Sequence, residues 1–280
     1  MKSIGIIGAG RWGRNIARSF SKKRNVKRVV TSGNTSNLDQ IKDICPGIQV
    51  SSLEQLAADD DIDSVIIAVP IPSLSQVAAT CLSRNKNVFL EKPAATSVAD
   101  LKKVKDVSAG KVCFVNYLYL ADPAYESFKN ALSKTKVKSA SFTWEKWGSF
   151  NNDILLNLAS HDLSILFDTF QSGTVTSLKT DVQDDRCHIS FYLDEVSVEI
   201  NIDRQHRTRN KSVTYETDRG LFMWTPGHFA HEDVEVSTNA ASMLLDLQRD
   251  NFLAMVDKGE CYNNLSLSSR ILDFLDGISQ

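Results

Sequence analysis

At 280 residues the chain is long enough for two domains, each able to bury a core. Its 32 Lys and Arg against 34 Asp and Glu leave a formal net charge of −2, so no global field favours nucleic acid or an anionic membrane, and small-molecule chemistry is the better reading. Five scattered cysteines, Cys45, Cys81, Cys113, Cys187 and Cys261, include no Cys-x-x-Cys pair, which suits reduced thiols in a cytoplasmic protein rather than a disulfide framework or zinc site.

The opening "MKSIGIIGAGRWG" reads as a first strand, because its apolar run is short and ends in Gly-Ala-Gly-Arg rather than a cleavage site. No apolar run of about 18 residues follows anywhere, so no membrane span is expected. Strand patterns recur in "KRVVTS", "DSVIIAVP", "NVFLEKP" and "KVCFVNY", and "RWGRNIARSF" and "LSQVAATCLSR" place apolar residues at helical spacing between them. Alternation of this kind predicts parallel βαβ units, a doubly wound α/β sheet over residues 1–120. A helix should open at Asp122 with Pro123 in its first turn.

From about residue 136 the texture changes. "VKSASFTWEKW", "VTSLKTDV", "CHISFYLD", "EVSVEINIDR", "KSVTYETD" and "GLFMWT" alternate apolar and polar side chains as half-buried antiparallel strands do. Helical spacing returns in "ASMLLDLQRDNFLAMVDKG" and "SSRILDFLDGI". A second domain, residues 121–280, is therefore expected to be α+β, with a mostly antiparallel open sheet.

Gly8, Gly10 and Gly13 form Gly-x-Gly-x-x-Gly directly after the first strand and at the start of a helix. That context asks for a tight turn at Gly8, close backbone approach of a pyrophosphate at Gly10 and helix-on-strand packing at Gly13. Backbone N–H groups of Ala9, Arg11 and Trp12 at the helix start would face the phosphates. An acidic residue for an NAD ribose is expected about 20 residues on. Ser32, Gly33, Asn34, Thr35 and Ser36 stand there instead. Hydroxyls without a carboxylate do not repel a 2′-phosphate, so of NAD and NADP the stretch favours NADP, with Ser32 and Asn34 at the adenosine end and Arg11 within reach.

"NVFLEKP" ends a strand with Glu91-Lys92-Pro93, and ligands of open α/β sheets bind outside the carboxyl ends of strands. In order, the glycine loop, "AVP" with Val69 and Pro70, "EKP", and "LASHDLSIL" around His161 resemble the glucose–fructose oxidoreductase, inositol dehydrogenase and MocA family over nearly the whole chain. The nearest branch, acting on nucleotide-linked sugars, is similar in "VNYLYLADPA" and "LNLASHDLSIL". The resemblance implies a nicotinamide held at Val69, Pro70, Glu91 and Lys92, a catalytic lysine at Lys92 and a catalytic histidine at His161. It also implies a sugar substrate and a homodimer or homotetramer formed through the second domain's sheet. The chemistry is consistent: a histidine can exchange the hydroxyl proton near neutrality, and a lysine can stabilise negative charge on the reacting oxygen. Some relatives instead retain the cofactor for elimination or glycoside cleavage, and a cofactor-sensing protein that lost its chemistry is a third reading.

Asn157 precedes His161 by four residues, the same face of an α-helix. Many family members carry aspartate there; asparagine keeps a hydrogen bond but loses the charge, which should lower the histidine pKa. Asp162 reads as structural. "HFAHED" is expected to be a loop, with no third well-spaced ligand to make a metal site of His228 and His231. "SKKRNVKR" reads as a solvated run, and Arg204–Lys211 as a solvated hairpin with a second reading as a diphosphate contact. Trp144, Trp147, Tyr117 and Tyr119 are equally consistent with a sugar pocket and with packing.

Overall fold

The computed structural model describes residues 2–32, 35–232, 234–239 and 243–278. The chain forms two compact units, Met1–Asn116 with Leu245–Asp273 and Tyr117–Leu244 with Phe274–Gln280.

In the first unit, β1 (Ser3–Ile7), β2 (Val26–Val30), β3 (Gln49–Val50), β4 (Ile62–Ile67), β5 (Asn87–Glu91), β6 (Val112–Asn116) and β15 (Tyr262–Asn263) form a parallel sheet in the order β15-β6-β5-β4-β1-β2-β3. Helices α1 (Arg11–Phe20), α2 (Thr35–Ile44), α3 (Leu53–Ala57), α4 (Ile71–Ser83) and α5 (Val98–Val107) connect successive strands. The order reverses between β1 and β4, where doubly wound sheets open a crevice for ligands.

Residues 245–273 return to this unit, which a single division at residue 120 does not foresee. On α8 (Leu244–Asp257), the Phe252 ring packs edge-on against Phe89 (5.6 Å) and Phe20 (6.1 Å) in the core. Arg249 of the same helix is buried and donates to the Ser19 carbonyl at 2.8 Å and to Asp246 at 2.9 Å. Helical spacing reveals an apolar face but not which sheet will cover it. Asn264 extends the sheet edge with its side chain, bonding both the N–H and the carbonyl of Val115 at 2.8 Å. The run "SKKRNVKR" is less solvated than expected: Lys27 and Arg28 converge on Asp59 at 2.9 and 2.6 Å, and Arg24 pairs with Asp257.

In the second unit, α6 (Pro123–Leu132) begins where expected, because the Asp122 carboxylate accepts from Ala124 N–H at 3.0 Å. The same buried carboxylate accepts from Trp224 Nε1 at 3.2 Å and Gly227 N–H at 2.7 Å. Strands β7 (Val137–Trp147), β8 (Val175–Val182), β9 (Arg186–Leu193), β10 (Val196–Asp203), β11 (Gln205–Thr217), β12 (Gly220–Thr225), β13 (His228–His231) and β14 (Val234–Ser237) make one sheet in the order β14-β13-β12-β11-β7-β10-β9-β8. All neighbours are antiparallel except β7 with β10, which run parallel with Phe142 beside Ile200 and Trp144 beside Ile202. Ala140, Phe142 and Trp144 are buried on one face, while Ser141, Thr143 and Glu145 alternate on the other, where water reaches them. Helix α7 (Ser160–Thr169) carries buried apolar residues, and Phe167 meets Phe274 at 5.8 Å on α9 (Leu265–Ile278).

"HFAH" is strand β13 rather than a loop, with His231 edge-on to Phe222 at 3.6 Å and His228 Nδ1 3.0 Å from Ser237 Oγ. Among the described residues, no group of three or more His, Cys, Asp or Glu is arranged to hold a metal, and no helix is long and apolar enough to cross a membrane.

Candidate functional site

The glycine loop tests its own reading. Gly8 adopts φ +104°, and a Cβ there would lie 2.3 Å from the Ala68 carbonyl oxygen, so only glycine lets the β1 turn pass β4. A Cβ on Gly13 would lie 2.0 Å from the Gly8 carbonyl oxygen, which fixes how closely α1 sits on the loop. Gly10 is different. Its Cβ direction meets nothing within 4 Å, and it caps α1 with no side-chain partner and no acid in the first turn. Loop geometry thus explains two glycines, and the third opens space in front of a helix start that carries no side-chain cap. That is the arrangement an anionic pyrophosphate requires, and the residues fit a dinucleotide.

Nearby groups organise the same edge. Arg14, one turn into α1, donates to the Ala9 carbonyl at 3.1 Å and to the Asn37 side chain, tying loop to α2. Arg11, Gly10 and Ser32 are exposed, and Val69 and Pro70 lie between β4 and α4. Asn34 lies outside the described residues. At the end of β5, Glu91 accepts from the Asn116 amide at 2.7 Å and from the Trp12 indole N–H. Removal from water pushes its carboxyl up to about 6, against the pull of those two donors and of Lys92. Lys92 is 8% exposed and joined to Pro93 by a cis peptide.

His161 and Asn157 belong to the second unit. Leu155–Ala159 form a π turn ahead of α7, in which Ser160 N–H reaches back to the Leu155 carbonyl, and Asp153 Oδ1 caps it by accepting from Leu156 N–H at 2.7 Å. Such turns are frequent at functional sites. Asn157 lies inside it, four residues before His161. The His161 ring is boxed by Trp144 at 5.0 Å and Tyr119 at 5.5 Å, both buried and edge-on to it. Of the four aromatic candidates, Tyr117 is also buried, and Trp147 is 66% exposed, packed on Phe150 at 5.3 Å.

Arg204–Lys211 is not a solvated hairpin. Arg204 is buried and donates to the Asp184 carbonyl at 2.9 Å. Lys211 is 4% exposed on β11 and pairs with Asp162, which is 0% exposed. Its ammonium also lies 4.3 Å from the Trp144 ring and 5.7 Å from Tyr119, so desolvation lowers its pKa while Asp162 opposes the change. Between the two buried cations, β11 bulges: Gln205 pairs with Trp147 and Asn210 with Glu145, leaving residues 206–209 opposite Lys146 alone. From this exposed bulge Arg209 bonds the Tyr119 phenol, which burial pushes up. Lys211 and Arg209 were missed because a basic run carries no sign of which members find buried partners.

Residues 2–117 match the oxidoreductase family with NAD-binding Rossmann fold, GFO_IDH_MocA. It is 27% identical over 136 residues to inositol 2-dehydrogenase of Agrobacterium fabrum, covering 46% of this chain and 40% of the relative. It is 31% identical over 126 residues to glucose-6-phosphate 3-dehydrogenase of Bacillus subtilis, covering 43% and 35%. The matched segments thus span less than half the length of these relatives. The structure superposes on UDP-N-acetylglucosamine 3-dehydrogenase of Acidithiobacillus ferrooxidans with a TM-score of 0.83 at 15% identity, over 97% of this chain and 94% of that one, a likeness of fold.

Proposed function

We propose that the protein is an NAD(P)-dependent dehydrogenase that moves hydride between a nicotinamide cofactor and a hydroxyl-bearing or ketone carbon of a sugar, in its finer form a nucleotide-linked sugar. The observation that carries the reading is the open Cβ direction of Gly10 at an uncapped helix start, between two glycines whose Cβ directions are blocked by backbone. A bound nicotinamide supplies the hydride acceptor or donor. In this reading Gly8–Gly13 hold the pyrophosphate, Arg11 and Ser32 serve the adenosine end, and the lack of a carboxylate after β2 favours NADP. Val69, Pro70 and Glu91 border the nicotinamide. Lys92 donates a hydrogen bond to the reacting oxygen, and His161 exchanges its proton, with Asn157 a neutral neighbour on the preceding turn.

The finer substrate rests on the β11 bulge. Arg207 and Arg209 are exposed there, with no carboxylate ion-paired to either among the described residues, and Arg209 is held on the phenol that packs against His161. A phosphate on the sugar suits that charge, as the names of the glucose-6-phosphate and UDP-N-acetylglucosamine dehydrogenases would lead one to look for. The test is incubation with NAD⁺ or NADP⁺ and a panel of free, phosphorylated and nucleotide-linked sugars, following nicotinamide absorbance. Reduction with a phosphate-bearing sugar supports the finer form, reduction only with free polyols removes it, and substrate conversion without net cofactor change favours a cofactor-retaining lyase. Assembly as a homodimer or homotetramer through the sheet's exposed face belongs to the same reading and is checked by sedimentation.

A further inference from the structure

Arg204, between β10 and β11, takes no part in the chemistry above and is 1% exposed. One of its donors is met, since Nη1 gives a hydrogen bond to the Asp184 carbonyl at 2.9 Å. Nε and Nη2 are buried and have no hydrogen-bond partner among the described residues. These two lie on one side of the guanidinium and form its side-on fork, whose parallel N–H groups match the two oxygens of a carboxylate. Burial lowers the pKa of the group, yet a guanidinium stays protonated in a protein, so the charge stays with the unmet fork. Leaving charged donors unmet in the interior is costly, and an apolar side chain there is often neutral or stabilising. Stability alone is therefore a weak reason for Arg204.

The surroundings of the fork place it and say what charge it takes. Arg204 stands two residues past Ile202, which lies beside Trp144 of β7 and Cys187 of β9. Ile202 and Cys187 are buried on the face that carries Trp144, and the Cys187 thiol feels Arg204, so the guanidinium belongs to that face. Two residues of strand cover about 7 Å. Trp144 in turn is 5.0 Å from the His161 ring. The backbone bonded to Arg204 comes from turns: Asp184 and Asp185 between β8 and β9 through their carbonyls, and Gly148 after β7 through its N–H. Asp153 and Asp184 are exposed, so the fork lies just beneath the surface. The carboxylates of Asp153, Asp184 and Asp185 act on the guanidinium, and none forms an ion pair with it among the described residues. Asp153 is engaged instead with the Leu156 N–H, and Asp185 with the Gln205 amide. With these three acids already around it, the fork favours a singly charged planar anion over a doubly charged phosphate.

We propose that Arg204 is a specificity residue whose Nε–Nη2 fork binds a carboxylate carried by the sugar ring of the substrate. The substrate is then an acidic sugar, its carboxylate held on the sheet face that carries Trp144 beside His161. The exposed turn that bears Asp153 shifts to admit it. Calling the ligand a substrate rests on the function given above, whereas the carboxylate site itself does not.

The test is a calorimetric titration with D-glucuronate, D-galacturonate, D-glucose and D-glucose 6-phosphate at matched ionic strength, with and without NADPH. Wild-type protein should bind at least one of the sugar acids, and glucose at least about tenfold more weakly. Arg204→Met should lose that preference. Arg204→Lys keeps a charge without the fork and should weaken binding of the acid by about tenfold or more. Binding of neither acid, or an unchanged affinity in a folded variant, overturns the proposal. So does binding of glucose 6-phosphate that depends on Arg204 more than binding of the acid does, because the fork would then read phosphate. An arginine that only ties down the β8–β9 turn would lower Tm in Arg204→Met and leave the preference intact, which also overturns it. Should Arg204→Met not fold, Arg204→Lys decides. Failure to bind NADPH leaves this proposal standing on the cofactor-free titration, and failure to bind a sugar acid leaves the oxidoreductase reading standing.

Discussion

The Trp12 indole, on the glycine loop, donates a hydrogen bond to the Glu91 carboxylate at the end of β5, two elements that the sequence separates by most of the first sheet. Asn116, at the end of β6, donates to the same carboxylate at 2.7 Å. One acid thus ties the dinucleotide loop to the strand ends beside Lys92.

Burial raises the Glu91 pKa to about 6 from the ordinary carboxylate value. A group whose folded pKa is raised contributes stability below its unfolded pKa, and that contribution is lost as pH rises through the folded value. Wild-type protein should therefore lose stability between about pH 4.5 and 6 relative to Glu91→Gln, which cannot ionise. Calorimetry of the cofactor-free protein should find the variant melting a few degrees higher at pH 7, a difference that vanishes by pH 4. Parallel curves at all pH values would mean Glu91 is not desolvated.

The three loop glycines should separate into two behaviours. Gly8→Ala and Gly13→Ala drive a Cβ into backbone and should lower Tm substantially. Gly10→Ala faces open space at φ −64°, so Tm should stay within a degree or two while NADH and NADPH affinity falls by about tenfold or more. Fluorescence titration checks it: retained affinity in Gly10→Ala would remove the pyrophosphate from that position.

Much of this arrangement was legible in the sequence, because strand, glycine loop and helix follow local rules of periodicity and turn chemistry. His161 stood out for the same local reason, as a histidine in an apolar run. What stayed hidden depends on distant partners. Lys211 and Asp162 lie 49 residues apart, and nothing in "RTRNK" distinguishes the buried lysine from its exposed neighbours. The π turn at Leu155–Ala159 departs from helical spacing without any proline or glycine to mark it. Strands β13 and β14 were lost because polar edge strands alternate too weakly to separate from loop.

Lys92→Ala should reduce turnover by at least about 100-fold while changing cofactor affinity less than about threefold, since the loss is of charge stabilisation at the reacting oxygen. Steady-state kinetics beside a binding titration measures both, and unchanged turnover would remove Lys92 from the chemistry.

Arg207→Ala/Arg209→Ala should raise KM for a phosphate-bearing sugar about tenfold or more and flatten its salt dependence, with cofactor affinity unaltered. Comparable KM changes for an uncharged sugar would show that the bulge shapes the fold rather than reads charge.

The most direct measurement of the central claim is a fluorescence titration of the purified protein with NADH and with NADPH, followed by addition of nucleotide-linked sugars to each complex. The account predicts saturable binding of at least one cofactor, tighter for NADPH, and a sugar-dependent change in its redox state. Failure to bind either cofactor would contradict it, because the open face of Gly10 would then have no ligand to explain it.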